Sequence, residues 1–185
     1  MIEQLKKDHV INTMIKEHEH ILVMLDELEK ISIDLSDYNK NKGMSLMARA
    51  NELAVKVIGA EPHHKREEDV LFPAMEEKGL FGPIQCMQKE HDIMREIKHD
   101  LKNETKNSNK EWKDQVDTVS QLISELCGTL RQHIDKENNV LYPMALQFIT
   151  EDRKWEEMKE KCDEIGYCCF CPLDKKELDE SLQNN

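Results

Sequence analysis

The chain has 185 residues and a formal net charge of −12, with 35% charged and only 5% aromatic residues. So acidic a chain offers no basic face to nucleic acid or to an anionic lipid surface, and neither is expected as a partner. Few Gly, Pro and aromatic residues suit amphipathic helices rather than sheets, and the length suits one helical domain at 1–150 with an appendage at 151–185.

No apolar run approaches the ~20 residues of a membrane-spanning helix. The start, Met-Ile-Glu-Gln-Leu-Lys-Lys-Asp, has no signal-peptide core, so a cytoplasmic location is expected.

The first predicted helix covers 10–31. Ile11, Met14, Ile21, Leu22, Leu25 and Leu28 recur at the spacing of one buried stripe, and His18 falls on it, seven residues from both Ile11 and Leu25. His20 does not; its neighbours Lys16, Glu17, Met24 and Glu27 read as a solvent face. A polar loop at 36–43, ending in Gly43, leads to a second helix at 45–78. Pro62 interrupts it, since proline removes a donor and clashes with the carbonyl four residues back, so a kink is expected just before His63. Gly79-Leu-Phe-Gly82-Pro83 closes this hairpin.

The third helix is expected at 83–105, with Ile84, Met87, His91, Met94 and Leu101 inward. Arg95 lies one turn beyond His91, and two readings stay open for it: a pair with a carboxylate beside the inward cluster, or a surface ion pair. After a loop at 103–109, a fourth helix at 110–148 puts Val119, Leu122, Leu126, Leu130, His133, Glu137, Val140, Leu141 and Met144 on one face.

The two halves repeat. His63-His64-Lys-Arg-Glu67-Glu68-Asp-Val-Leu-Phe-Pro73 lines up with His133-Ile-Asp-Lys-Glu137-Asn-Asn-Val-Leu-Tyr-Pro143, and Glu17-His18 with Glu90-His91. The chain thus reads as two helical hairpins, an all-α, up-down-up-down four-helix bundle. In each His-x-x-x-Glu the two side chains leave one helix face about 5–6 Å apart, a metal-ligand geometry. His64 and Glu68 satisfy the same spacing, but the alignment of Val-Leu-Phe-Pro with Val-Leu-Tyr-Pro selects His63 and Glu67. Carboxylates aimed into an apolar core destabilise it by several kcal/mol unless paired. Two cations would answer both the carboxylates and the imidazole lone pairs, as in helical bundles that hold two irons. Mixed nitrogen and oxygen donors suit iron best, then manganese, and admit zinc by affinity. Six ligands for two metals leave positions open for O2, NO or peroxide, which a closed structural zinc site does not.

His-His-x-x-Glu-Glu-Asp-Val-Leu-Phe-Pro at 63–73, Gly-Pro-Ile-x-x-Met-x-x-Glu-His-Asp-x-x-Arg at 82–95 and His-x-x-x-Glu-Asn-Asn-Val-Leu-Tyr-Pro at 133–143 resemble the signatures of the hemerythrin-like, HHE cation-binding proteins over roughly 8–147. The resemblance implies a non-haem, oxo- or hydroxo-bridged pair of iron ions ligated by His18, His63, Glu67, His91, His133 and Glu137. Where the oxygen-carrying members place a further histidine one turn after the third-helix ligand, this chain has Arg95. It is therefore more similar to bacterial and archaeal relatives, including proteins implicated in repairing damaged iron centres, than to oxygen carriers.

The tail differs. Trp155, Met158 and Cys162 fit a short amphipathic helix across the bundle end, and Cys168, Cys169 and Cys171 form a thiol cluster open to three readings: a loosely packed tail, a redox relay, or an iron–sulfur or zinc ligand. Six cysteines in a cytoplasmic protein do not suggest a disulfide framework. No nucleophile-His-acid arrangement, phosphate loop or dinucleotide fingerprint occurs. The function expected is a di-iron protein that binds or reacts with O2 or NO in sensing, scavenging or stress response, with room for a redox partner protein; the alternatives are iron chemistry for repair of damaged iron–sulfur centres, or metal storage.

Overall fold

The computed structural model describes residues 5–37 and 39–168, all of them helical or in connections. Four legs form a closed ring. The first is α1 (Val10–Ser36) and the third is α5 (Gly82–Glu104). The second runs through α2 (Lys40–Ile58), α3 (Glu61–Arg66), a π-helical turn (Glu67–Leu71) and α4 (Phe72–Glu76). The fourth runs through α6 (Trp112–Lys136), a second π-helical turn (Glu137–Leu141) and α7 (Tyr142–Phe148). Both α1 and α5 pack against α2 and α6, so sequence neighbours are neighbours around the ring, as short connections between antiparallel helices require.

Local chemistry sets the helix ends. The His9 ring accepts the Ile11 N–H at 3.2 Å, and the Asn39 side chain accepts the Lys42 N–H at 3.3 Å. The Asn39 cap starts α2 earlier than the expected Ser45. Gly43, expected in a loop, lies inside the helix, where a Cβ would come within 2.3 Å of the Trp112 ring. The break before His63 is present. The Ala60 and His63 N–H groups reach back only three residues, to Val57 and Ala60, and α3 restarts with Pro62 in its first turn, where a missing N–H leaves no bond unmade.

The π-helical turns are absent from the sequence reading. Each precedes a proline, and the Phe72 and Tyr142 N–H groups reach back five residues, to the Glu67 and Glu137 carbonyls. The extra residue in the turn rotates the helix beyond it. Val140, expected inward, is 51% exposed, whereas Leu141 and Tyr142 are buried. Ile123, not Leu122, takes the inward slot on α6. On α1, Glu17 and Met24 are buried rather than solvent-facing, and His20 is half-buried.

The core has two apolar parts. One includes Ile21, Leu25, Ala60, Met94, Leu130 and Ile134; the other includes Met14, Val70, Leu71, Met87 and Leu141. Along every leg a polar stretch falls between them: 17–18, 63–67, 91 and 133–137. Helix α8 (Asp152–Ile165) lies against α1, α3 and the first π turn, burying Met158 and Cys162 on its apolar side as expected. No helix among the described residues is long and apolar enough to cross a membrane.

Candidate metal centre

All six residues singled out in the sequence meet in that polar layer, each at most 2% exposed. His18 and His63 bring their Nε2 atoms to 3.0 Å, and His91 and His133 do the same at 3.0 Å. Two carboxylates stand between the pairs. Glu137 places Oε2 3.1 Å from His18 Nε2 and Oε1 2.8 Å from His133 Nε2; Glu67 places Oε2 3.6 Å from His63 Nε2 and 3.4 Å from His91 Nε2. Donor atoms within 4.8 Å of one another form two groups: Glu67, His91, His133 and Glu137, and His18, His63 and Glu137.

The outward side of each imidazole is fixed by an oxygen. Nδ1 of His63 faces Glu17 at 2.8 Å and Nδ1 of His133 faces Glu90 at 2.8 Å. Nδ1 of His91 faces Glu68 at 2.7 Å and Nδ1 of His18 faces Asn138 Oδ1 at 2.9 Å. These oxygens accept, so each ring carries a proton on Nδ1 and turns its Nε2 edge inward, the edge left for a metal. Behind them, Arg66 pairs with Glu17, Lys136 with Glu90, and Arg95 with Glu68 at 2.9 Å. Arg95 therefore takes the site-side reading, bridging also to Glu61 at 2.8 Å.

The electrostatics point the same way. Burial alone would raise the Glu137 carboxyl, yet His133, His18 and His91 hold it well below its ordinary range. Burial would lower His91, but Glu137, Glu67 and Glu68 raise it to about 11; His18 is raised by Glu137 and Glu67 against the same burial. The pocket thus demands positive charge. Glu67 Oε2 and both oxygens of Glu137 are buried with no hydrogen-bond partner, facing four Nε2 atoms. Buried carboxylates facing imidazole nitrogens are stable only with positive charge between them, carried by protons or by metal cations, and the mixed nitrogen and oxygen donor set fits metal. Tyr142 donates its hydroxyl to Glu67 Oε1 at 2.7 Å, and burial with the Glu137 and Glu67 charges keeps that phenol protonated.

His64 is buried but outside both donor groups. It stacks on His91, ring centroids 4.1 Å apart, and burial pushes it well below its ordinary pKa. The sequence reading did not find Glu17, Arg66, Glu90, Lys136, Asn138 and Tyr142. Their signal was in the repeat, which sets Glu17 against Glu90 and Arg66 against Lys136. Of the thiol cluster, Cys168 is buried, as is Cys162 on α8, while Cys169 and Cys171 fall outside the described residues.

Comparison with known proteins matches residues 9–145 to the family model described as the hemerythrin HHE cation binding domain. The protein named iron-sulfur cluster repair protein YtfE in Enterobacter sp. (strain 638) is 28% identical over 148 residues, covering 75% of this chain and 64% of the relative. The protein of that name in Pectobacterium carotovorum is 26% identical over 137 residues, 69% of this chain and 57% of the relative. That in Escherichia coli O1:K1 is 28% identical over 152 residues, with 75% and 64% covered. The chain spans less than two thirds of the length of these relatives.

Proposed function

Because this chain belongs to the hemerythrin HHE cation-binding family, we propose that His18, His63, Glu67, His91, His133 and Glu137 hold two iron ions, with Glu67 and Glu137 each spanning the pair. The observation that carries the reading is the set of three partnerless, buried carboxylate oxygens facing four inward Nε2 atoms. Iron there would supply open coordination positions and one-electron chemistry toward O2, NO or peroxide. Manganese or zinc could enter the same donors by affinity.

The protein's own contribution is arrangement. Glu17, Glu68, Glu90 and Asn138 hold each imidazole by Nδ1, and the two apolar core parts exclude bulk water. Tyr142 holds a hydroxyl proton toward Glu67 Oε1, oxygen to oxygen 2.7 Å, on the side of His18 and His63. We infer that the iron pair reacts with O2 or NO. The names of the relatives favour a second reading, in which that chemistry serves the repair of damaged iron–sulfur centres.

Metal analysis of anaerobically purified protein, with optical spectra before and after O2 and then NO, tests the first reading. About two irons per chain and a new ligand-to-iron absorption are expected; one tightly held zinc and no iron after iron-replete expression would overturn it. Incubation with an NO-damaged iron–sulfur hydratase tests the second, which requires recovery with iron-loaded but not metal-free protein.

A further inference from the structure

The segment after α8 lies outside the residues that the family model matches, yet it reaches the metal centre. Gly166 has φ +89°, a conformation that side chains disfavour, and this turn takes the chain off the end of α8 and back over the bundle. Tyr167 then covers Arg66, whose guanidinium carbon lies 4.7 Å from the ring centroid, while its hydroxyl donates to Asp163. Cys168 is 2% exposed and packs within the larger apolar part of the core. Its main-chain N–H donates to Glu17 Oε1 at 3.1 Å.

Glu17 is the carboxylate that aims His63. Its Oε2 accepts the His63 Nδ1 proton and an Arg66 N–H, so Cys168 supplies the donor for the remaining oxygen, and Glu17 is 0% exposed. The repeat offers an internal control. Glu90 does for His133 what Glu17 does for His63, but among the described residues its Oε1 meets the Lys136 ammonium and the Cys86 thiol and no main-chain N–H, and its side chain is left 19% exposed. Both carboxylates take three donors, but those on Glu17 are buried and include a fixed main-chain N–H, whereas the second oxygen of Glu90 meets a flexible ammonium and an exposed thiol at a part-solvated edge, so Glu17 is the more tightly held. The thiol of Cys168 also faces Glu17. Burial and the Glu17 charge push it well up, so it stays protonated.

We propose that residues 166–168 form a positioning strap that completes the His63 side of the metal centre, with the Cys168 main-chain N–H locking Glu17 and, through it, the His63 ring. This rests on the two-iron reading above. The strap holds one half of a near-symmetric site and leaves the other alone, so its loss loosens one iron selectively.

The test is anaerobic release of iron from full-length, iron-loaded protein to a colorimetric ferrous chelator, with circular dichroism melts to follow the fold. Cys168→Pro deletes the N–H and is expected to speed release of one iron at least about tenfold, leaving the other at the parental rate. Cys168→Ala keeps the N–H and a buried apolar side chain and should stay within about twofold of the parent, since the main-chain N–H is what locks Glu17. Gly166→Ala displaces the strap without touching Glu17 or any thiol and should reproduce the fast phase; it decides the matter if Cys168→Pro fails to fold. Parental rates in both strap variants, with two irons bound, would sink the strap alone. Equal losses in Cys168→Ala and Cys168→Pro would assign the effect to the thiol and overturn the proposal. A parent holding fewer than two irons would overturn the two-iron reading and the strap with it.

Discussion

Glu137 reaches across the bundle to put Oε2 3.1 Å from Nε2 of His18, a residue of the opposite hairpin, while its other oxygen stays 2.8 Å from His133 on its own helix. One carboxylate thus serves both donor groups. Glu137→Gln keeps the shape and removes the charge that the pocket opposes to its cations. Bound iron is expected to fall from two to one or fewer per chain with helical content unchanged, read by metal analysis and circular dichroism. Two irons retained at parental affinity would show that Glu137 does not span the pair.

Helix register makes a second prediction. His18 and His20 are rotated ~200° apart on α1, and only His18 points between the apolar core parts. His18→Ala should lower bound iron and the ligand-to-iron absorption, whereas His20→Ala should leave both nearly unchanged, with stability within about 0.5 kcal/mol of the parent. Iron loss from His20→Ala alone would show the register to be wrong.

The two imidazoles from the first helix of each hairpin are oriented by different groups, His91 by the Glu68 carboxylate and His18 by the Asn138 amide. A carboxylate behind a ring strengthens its donation to metal more than an amide does. Glu68→Gln should weaken iron binding by about tenfold or more, and Asn138→Asp should tighten it, in chelator competition. Changes of the same sign in both variants would exclude this account.

Lys98 is buried on α5, and burial lowers its pKa to about 8 from the ordinary 10.5. Between those two values the unfolded chain holds a proton that the folded chain has released, so stability rises with pH across that window. Below pH 8 the folded protein carries the full cost of a buried ammonium. Lys98→Met should therefore be more stable than the parent at neutral pH, by up to about 3 kcal/mol, and the gain should shrink from pH 8 and vanish above about 10.5. Chemical denaturation at pH 7, 9 and 10.5 checks it; a gain independent of pH would mean that packing, not charge, is responsible.

The inward positions of His18, His63, Glu67, His91, His133 and Glu137 were legible before any coordinates. His18, His91, His133 and Glu137 lie on apolar stripes, and the repeat of Val-Leu-Phe-Pro as Val-Leu-Tyr-Pro selects His63 and Glu67, so local periodicity and repetition sufficed. The kink ahead of His63 was equally local, since Pro62 acts on its own backbone. Glu17 was different. Along α1 it lies three residues after Met14 and four before Ile21, on the edge of the buried stripe, but no residue of that helix offers its carboxylate a partner, so it read as solvent-facing; its partner His63 belongs to another leg, and its third donor to a segment beyond α8. Val140 failed for a related reason, because the π turn that rotates it outward depends on how the chain accommodates Pro143 against the packed bundle. The sequence alone determined the helices, their repeat and the inward placing of the six histidine and glutamate positions, because helical period is a property of neighbours four residues apart. Only the tertiary structure decided which oxygen meets which Nδ1 across the bundle and that the tail seals one half of the centre, because those contacts join segments whose separation in sequence carries no period.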